Sequence, residues 1–299
     1  MITIGIVILH YKNISETYKC IESYKTQNMD GISAKIVVVD NGSCNGTGEE
    51  LHAHFANDVD ISIIILEKNL GFAKGNNTGF QFLNERFSPD FIIYSNSDIE
   101  LPDNNFYQWI VQKYNLYHFA VLGPDIYSLT KKYHQSPCEN TTLLRCLIKR
   151  YMNFRIMKKL LRLTEHAISW QEPSAQFTLH GALLIFSKDF FHAYPNGIYD
   201  KTFLYCEEAF LRHYCNNAHL LMIYDNTYTA YHVQAASSQH TKQTKFRRQQ
   251  EKKSLDLLIQ CFLNRQQTTD NRQQTTDNRQ QTTDNRQQTT DNRQQTTEL

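Results

Sequence analysis

The chain has 299 residues, of which 40% are hydrophobic and 20% charged, enough for one large domain or two closely packed halves. Its formal net charge of +1 excludes a whole-molecule field that would attract nucleic acid or an acidic partner, and only a local patch could bind one. No apolar stretch reaches the roughly 18 residues of a membrane span, and seven cysteines without a CxxC pair are typical of reduced thiols in a cytoplasmic protein.

Four apolar runs in the first hundred residues alternate with stretches of helical character. The first run follows Met1 closely, without a basic leader or a small-residue cleavage site, and therefore predicts a strand rather than a secretory signal. Ser15 is the predicted N-cap of the first helix. Phe80, Leu83 and Phe87 recur at helical spacing and predict the third helix. Near-continuous β-branched runs between helices predict an α/β sheet of parallel strands covered on both faces. The runs are residues 4–9, 34–39, 61–66 and 91–95.

Polar residues follow each of these four runs. Ligands of open α/β sheets bind beyond the carboxyl ends of the strands, so these residues predict a site along one edge of the sheet. Each of them alone also fits an ordinary turn or helix cap. His10, Tyr11 and Lys12 follow the first run, Asp40 the second, Asn69 the third, and Asn96, Ser97 and Asp98 the fourth.

The loops after the runs lack the glycine patterns of the common phosphate-binding motifs. The turn after the first run has no glycine, which excludes the GxGxxG dinucleotide fingerprint, and Lys74-Gly75-Asn76 has the wrong order for a P-loop. Without a phosphate-binding motif, Gly71 is expected to allow close packing and to let the backbone come close to a ligand. Acidic and amide groups favour uracil or thymine edges, ribose hydroxyls and a divalent cation. Asp98 is the candidate metal ligand, because hard cations take oxygen donors and bridge diphosphates.

Seven segments carry a family resemblance when they are taken in order. They are IVILHYKN, IVVVDNGSCNGT, NLGFAKGNNTGF, IIYSNSDIEL, LHGALLIFSKDFF, FLYCEEAFLRHYC and AYHVQAASS. Over about residues 2 to 260 the chain resembles the family 2 glycosyltransferases of the GT-A fold, especially the bacterial rhamnosyltransferase-like branch that builds surface polysaccharides. The resemblance implies a Rossmann-like, mostly parallel central sheet flanked by helices. It also implies a GT-A domain over 1–240, with a nucleotide-binding half to 101 and an acceptor half after it.

The resemblance assigns roles to individual residues. Glu208 would be the general base that deprotonates the acceptor hydroxyl while its oxygen attacks the anomeric carbon in line, which gives inversion; Glu207 is the fallback base. Asp98 would bind Mn²⁺ or Mg²⁺ on the donor diphosphate, and His232 would be a second metal ligand or a diphosphate contact. Asp40 would hold the base or ribose. The nucleotide-sugar-binding residues would be His10, Tyr11, Asp40, Asn69, Gly71, Lys74, Asn77, Asn96, His180 and Gly181.

Two positions depart from the usual pattern of that family. Asn96-Ser97-Asp98 follows an Asn-x-Asp variant with one charge fewer, which predicts weaker metal binding. Glu208 replaces the usual aspartate and is longer by one methylene. The predicted function is inverting transfer from UDP-hexose or dTDP-rhamnose to a saccharide or lipid-linked acceptor in surface polysaccharide synthesis. The alternative left open is a non-catalytic sugar-nucleotide-binding or scaffold protein.

Residues 143–163 have the composition of a basic amphipathic helix. The segment has seven basic residues and no acidic one, interleaved with Leu, Ile, Met and Phe. Such a helix would lie on an anionic membrane, at the inner face of the plasma membrane, near a polyprenyl-linked acceptor. An ordinary helix with a cationic solvated face fits the same pattern.

The last part of the chain is repetitive. Residues 241–264 predict a C-terminal helix. From Arg265 the heptapeptide RQQTTDN occurs four times and is followed by RQQTT, Glu298 and Leu299. The repeats contain no apolar residue and therefore no coiled-coil seam, so residues 265–299 are predicted to be disordered.

Overall fold

The computed structural model describes residues 1–138, 141–151, 175, 177–233 and 246–264. The chain divides into two compact units, Met1–Leu255 and Asp256–Leu299. In the first unit, strands and helices alternate as β1 (Ile2–His10), α1 (Ile14–Lys25), β2 (Ile32–Asp40), α2 (Thr47–His54), β3 (Ile61–Ile65), α3 (Phe72–Phe87) and β4 (Phe91–Asn96). They continue as β5 (Ile99–Glu100), α4 (Phe106–Tyr117), β6 (Val121–Ser128), β7 (Tyr133–His134), α5 (Leu143–Tyr151), β8 (Leu183–Ser187), α6 (Lys188–Ala193), α7 (Glu207–Asn217) and β9 (Met222–His232). Residues 246–255 are helical, and in the second unit 256–264 are helical.

The described strands form one nine-stranded sheet in the order β3-β2-β1-β4-β8-β6-β9-β5, with β7 paired to β6. The four predicted strands β3, β2, β1 and β4 are parallel, as expected. The second half is mixed: β8 is antiparallel to β4 and β6, whereas β9 is parallel to β6 and antiparallel to β5. The strand that lies next to β4 in the sheet is β8, which comes almost ninety residues later in the chain.

Helices cover both faces of this sheet. Alternate residues of a strand point to opposite faces, so Ile6, Val38 and Ile93 belong to one buried cluster. Val7 and Val37 belong to the cluster on the other face, together with Phe80 and Leu83 of α3. The predicted α/β sheet, buried on both sides, is confirmed.

Local details correct or limit some predictions. The predicted Ser15 cap of α1 is wrong, because the N-cap is Asn13, whose Oδ1 accepts the Glu16 N–H at 3.5 Å. The predicted basic helix is helical over Leu143–Tyr151, while 152–163 and the repeats from Arg265 lie outside the described residues. All seven cysteines are free thiols. In the described part of the chain, no helix is long and apolar enough to span a bilayer.

Candidate functional site

The parallel register brings the carboxyl ends of the first strands together. His10 of β1 lies opposite Asp40 of β2, and Leu9 lies opposite Asn96 of β4. A cavity of about 590 Å³ opens at this edge. Five of the predicted site residues line it, namely Tyr11, Asn69, Gly71, Asn96 and Asp98.

His10 and Asp40 lie behind the cavity wall rather than on it. His10 is fully buried, and its Nδ1 and Nε2 are 2.7 and 2.9 Å from the hydroxyls of Thr17 and Thr47. Burial lowers the pKa of His10, against the opposing charge of Asp40. The Asp40 carboxylate is also buried and accepts the Ser43 N–H at 3.0 Å. The His10 ring therefore joins α1 to α2, and the Asp40 carboxylate holds the loop after β2. Neither residue lines the cavity, so its lining gives no support to their predicted direct contact with a nucleotide.

Asn41 lines the cavity and was not among the predicted site residues. Its Nδ2 donates to the Gly71 carbonyl at 3.1 Å and to Asn69 Oδ1 at 3.3 Å, and its Oδ1 accepts the Leu70 N–H at 2.9 Å. The amide thus joins the loops after β2 and β3. The sequence signal was present, because Asn41 directly follows the strand-end carboxylate, but this stretch also reads as an ordinary turn.

Lys74 and Asn77 belong to a second cavity of about 570 Å³, between α3 and the loop 194–201. The Asn77 Nδ2 donates to the Ile198 carbonyl at 2.7 Å, and its Oδ1 accepts the Tyr94 hydroxyl at 3.0 Å. Its amide therefore ties α3 to β4 and to this loop. The structure does not bring Lys74 and Asn77 together with the strand-end residues, so their predicted place in the nucleotide site is not supported.

The two predicted metal ligands lie side by side. β5 pairs with the end of β9, with Ile99 opposite His232, and this places His232 Nε2 3.2 Å from Asp98 Oδ1. The other ring nitrogen of His232, Nδ1, is 2.8 Å from Gln135 Oε1, which orients the ring. Among the described residues, no group of three or more His, Cys, Asp or Glu side chains could hold a metal ion. One carboxylate and one imidazole still fit a divalent cation that completes its shell with water and substrate phosphate oxygens.

His180 lies beside this pair. Its ring centroid is 5.9 Å from that of His232. Burial, followed by the charge of His232, lowers the pKa of His180 to about 4, so its imidazole is neutral near pH 7. The adjoining Gly181 N–H donates to Glu208 Oε1 at 3.3 Å.

Glu208 is therefore held at the same edge as Asp98. A Cβ at position 181 would lie 2.7 Å from Glu208 Oε1, so glycine allows the carboxylate to approach. The next residue, Ala182, accepts the Asn96 N–H at 2.9 Å, which connects this segment to the end of β4. Burial raises the pKa of the partly exposed Glu208 carboxyl, which makes it a stronger base.

Glu207 faces another environment. It is only 8% exposed, and its Oε1 accepts the Thr202 hydroxyl at 3.3 Å. Burial, and then the charge of Glu208, raises the pKa of Glu207 to about 7. Tyr205 and Cys206, just before it, have φ values of 77° and 68°, a left-handed conformation that is uncommon for non-glycine residues. Such strain is often found at functional sites, and here it sets the start of α7.

Comparison with known proteins identifies the fold and the family. A family model described as glycosyl transferase family 2 matches residues 5–170. No curated protein sequence gives a significant match. The crystal structure of S. aureus TarS (1–349) in complex with UDP-GlcNAc is similar with a TM-score of 0.53 and 14% identity, over 88% of this chain and 72% of that chain.

A second solved structure agrees. Mannosyltransferase PcManGT from Pyrobaculum calidifontis, in complex with GDP-Man and Mn²⁺, is similar with a TM-score of 0.50 and 13% identity, over 82% of this chain and 60% of that chain. These similarities confirm the predicted GT-A fold of a central sheet flanked by helices. The sheet itself is mixed, with antiparallel pairings in its second half. Because the family model covers more than half of its length, the chain belongs to glycosyl transferase family 2.

Proposed function

We propose that this glycosyltransferase moves a sugar from a nucleotide-diphosphate donor to an acceptor hydroxyl with inversion at the anomeric carbon. The observation that carries the proposal is the convergence of the Asp98–His232 pair and Glu208 at the strand-end edge that also opens the 590 Å³ cavity. A carboxylate–imidazole pair that would hold a cation, at the same edge as a partly exposed carboxylate with a raised pKa, suits displacement of a diphosphate by an activated hydroxyl.

The donor would lie in the cavity at the strand ends. Tyr11 and the amides of Asn41, Asn69 and Asn96 line it and suit the base edges and hydroxyls of a nucleoside. UDP-hexose and dTDP-rhamnose remain the proposed donor classes. TarS has been crystallised with UDP-GlcNAc and with UDP, and PcManGT with GDP-Man, which supports a nucleotide sugar and adds GDP to the nucleotides worth testing.

The metal ion would be held by Asp98 and His232. Manganese in the PcManGT complex supports a divalent cation, Mn²⁺ or Mg²⁺, whose positive charge would neutralise the diphosphate leaving group. The protein supplies few donors for it, since Asn96 stands where the family usually has a second acid. We therefore expect the nucleotide and the cation to bind together.

Glu208 would accept the proton of the acceptor hydroxyl. Its carboxylate points to Gly181, next to the segment bonded to Asn96, whereas Glu207 points to Thr202. Direct attack by the deprotonated oxygen in a single displacement inverts the anomeric centre. Glu207 stays the fallback base, because its pKa of about 7 also suits proton transfer near neutral pH.

The acceptor side would lie near an anionic membrane. Leu144, Leu147 and Tyr151 of α5 are exposed at positions that share one helix face, and Lys149 is exposed nearby. This pattern supports the proposed peripheral contact at the inner face of the plasma membrane, where a lipid-linked acceptor for surface polysaccharide synthesis would be found. Flotation with anionic and with neutral liposomes tests it: binding that requires anionic lipid and falls with salt is expected, and no binding to either would contradict it.

A non-catalytic sugar-nucleotide-binding protein is the second candidate. The single acid at Asn96-Ser97-Asp98 and the glutamate in place of aspartate at 208 favour it. Both candidates bind the donor, but only the enzyme turns it over.

Donor turnover separates the two candidates. We would incubate the protein with Mn²⁺ and UDP-GlcNAc, GDP-mannose or dTDP-rhamnose and measure release of the nucleoside diphosphate, with water or an added saccharide as acceptor. Proton NMR of the freshly released or transferred sugar gives the anomeric configuration. We expect release from one donor with inversion. Tight binding of a donor without any release would favour the non-catalytic candidate.

A further inference from the structure

The charges around the strand-end cavity are unequal. Its described lining residues include two carboxylates, Glu16 and Asp98, and one cationic side chain, Arg247. A bound donor would add the negative charge of its diphosphate to the same space. Because Asp98 adds a further negative charge, the side chain of Arg247 is the positive group that the described lining residues offer to the diphosphate.

Arg247 comes from the helical residues 246–255, which are anchored beside the cavity. The neighbouring Phe246 ring packs edge-on against Phe203, with centroids 5.7 Å apart. Two turns later the buried Ser254 hydroxyl donates to the Leu204 carbonyl at 2.9 Å. The helix is thus attached at two points to the loop that carries Tyr205, another cavity residue.

The same loop is attached to the nucleotide side of the site. The Phe72 N–H at the start of α3 donates to the Phe203 carbonyl at 3.0 Å. A Cβ at Gly71 would overlap this carbonyl oxygen, so glycine permits the close approach. The start of α3, the 203–205 segment and the helical residues 246–255 therefore form one continuous wall of the cavity.

The guanidinium of Arg247 is available within this wall. It forms no ion pair with any carboxylate of the described residues, and Arg247 is exposed and lines the cavity. It lies close enough to the Tyr205 phenol that its charge opposes the rise in the pKa of Tyr205 that burial causes. A planar guanidinium with several N–H donors can bind two phosphate oxygens at once.

We propose that Arg247 binds the diphosphate of the nucleotide-sugar donor, so that the helical residues after the GT-A domain complete the donor site. This inference rests on the proposed function. As the acceptor oxygen bonds to the anomeric carbon, the bond from that carbon to the diphosphate oxygen breaks and its electron pair stays on the diphosphate. Glu208 takes the hydroxyl proton, and Arg247 stabilises the charge that develops on the leaving group.

Arg247→Gln is the first test, with Arg248→Gln as the matched control. Arg248 is the next residue of the helix and is exposed, but it does not line the cavity. Calorimetry on the full chain with Mn²⁺ would measure the affinities for UDP, dTDP and GDP, and for the monophosphate of whichever base the wild type binds. Arg247→Gln should weaken diphosphate binding at least about tenfold and monophosphate binding by less, because a charge-assisted hydrogen bond to phosphate is lost. Arg248→Gln should bind as the wild type does.

The further outcomes are each decisive. Arg247→Lys should bind the diphosphate more tightly than Arg247→Gln but less tightly than the wild type, since lysine keeps the positive charge and lacks the paired N–H donors of the guanidinium. Equal losses for the monophosphate and the diphosphate would overturn the assignment, as would wild-type affinity of Arg247→Gln for both. If the wild type binds none of the three diphosphates, the proposed function fails and this inference fails with it. If it binds one and Arg247→Gln binds it equally well, only the role of Arg247 is lost.

Discussion

Glu207 and Glu208 are adjacent in the chain but serve different purposes in this account. One helical step turns the two side chains apart, so that Glu208 contacts Gly181 and Glu207 contacts Thr202. Glu208 therefore lies on the side of the strand ends, whereas Glu207 is enclosed at the start of α7. The two roles can be separated by changing each carboxylate to an amide of the same shape.

Glu208→Gln should lower turnover without changing donor binding. Glutamine keeps the oxygen that accepts the Gly181 N–H but cannot take a proton from the acceptor. We expect turnover to fall roughly 10²–10⁴-fold, the usual contribution of a general base, with an unchanged dissociation constant for the nucleotide. Nucleotide release and calorimetry measure the two quantities. Full turnover by Glu208→Gln would show that another group is the base, and Glu207→Gln would then be the variant to assay.

Glu207→Gln should change how stability depends on pH. The folded state raises the pKa of Glu207 from 4.5 to about 7, so it favours the protonated form. The contribution of protonated Glu207 to the stability of the fold is fully present below pH 4.5, the pKa of the unfolded chain. It is lost as the pH rises to about 7, the pKa in the folded state. The variant cannot ionise, so its stability relative to wild type should increase between pH 5 and pH 8, by up to about 3 kcal/mol.

Urea unfolding at both pH values measures the difference for Glu207→Gln. Glu22→Gln, on an exposed position of α1, controls for the loss of one surface carboxylate. A pH-independent difference between wild type and Glu207→Gln would contradict the enclosed, protonated state of Glu207.

Single residues also show the limit of prediction from sequence. Asn69, Asn96 and Asp98 line one cavity, because the parallel register aligns the strand ends that they follow. Sequence could not say which of the adjacent residues Asp40 and Asn41 faces the cavity, since that depends on how the loop turns after β2. Asp40 turns inward to Ser43, and Asn41 lines the cavity.

At the scale of elements, Gly71 joins α3 to the segment before the two glutamates. It has φ +87° and ψ 179°, a conformation that is open almost only to glycine. Gly31 also has positive φ, but a Cβ there would meet nothing within 4 Å. Alanine at Gly31 would therefore show the cost of backbone strain alone, whereas alanine at Gly71 would show that cost together with a steric clash against the Phe203 carbonyl.

Gly31→Ala should cost about 1–2 kcal/mol of stability, from backbone strain alone. Gly71→Ala should cost more than about 3 kcal/mol, because it adds the clash to a less accessible conformation. It should also weaken nucleotide binding, since the displaced wall carries Tyr205. Thermal and urea unfolding measure both variants. Equal losses would mean that the wall yields easily and that the close approach at Gly71 is not structurally important.

The first half of the fold was predictable from sequence and the second half was not. Regular apolar runs predicted β1 to β4, because β1, β2 and β4 are largely buried on both faces and the edge strand β3 is a half-buried run of mostly β-branched residues. The positions of β8 and β9 depend on pairings between residues far apart in the chain, such as Ser95 with Leu183, which no local pattern contains. The segments that contain Glu208 and His232 were identified only by the family resemblance, because their hydrophobic periodicity does not differ from that of other helices and strands.

At the scale of the whole molecule, the repeats should be dispensable for folding. The heptapeptide contains only Arg, Gln, Thr, Asp and Asn, so it offers no apolar surface to bury. A chain that ends at Asn264 should keep the melting temperature and the nucleotide affinity of the full chain. Calorimetry of the two proteins checks this, and a lower melting temperature of the shortened chain would show that the repeats contribute to the fold.

The most direct test of the account is binding of UDP, dTDP and GDP, each with and without Mn²⁺, to the wild type and to Asp98→Ala. Thermal shift gives the stabilisation, which follows the affinity through mass action. We predict that one nucleotide stabilises the wild type in the presence of Mn²⁺ and that this metal-dependent stabilisation disappears in Asp98→Ala. Stabilisation by none of the three nucleotides, or equal metal-dependent stabilisation of Asp98→Ala, would contradict a donor site at the strand ends.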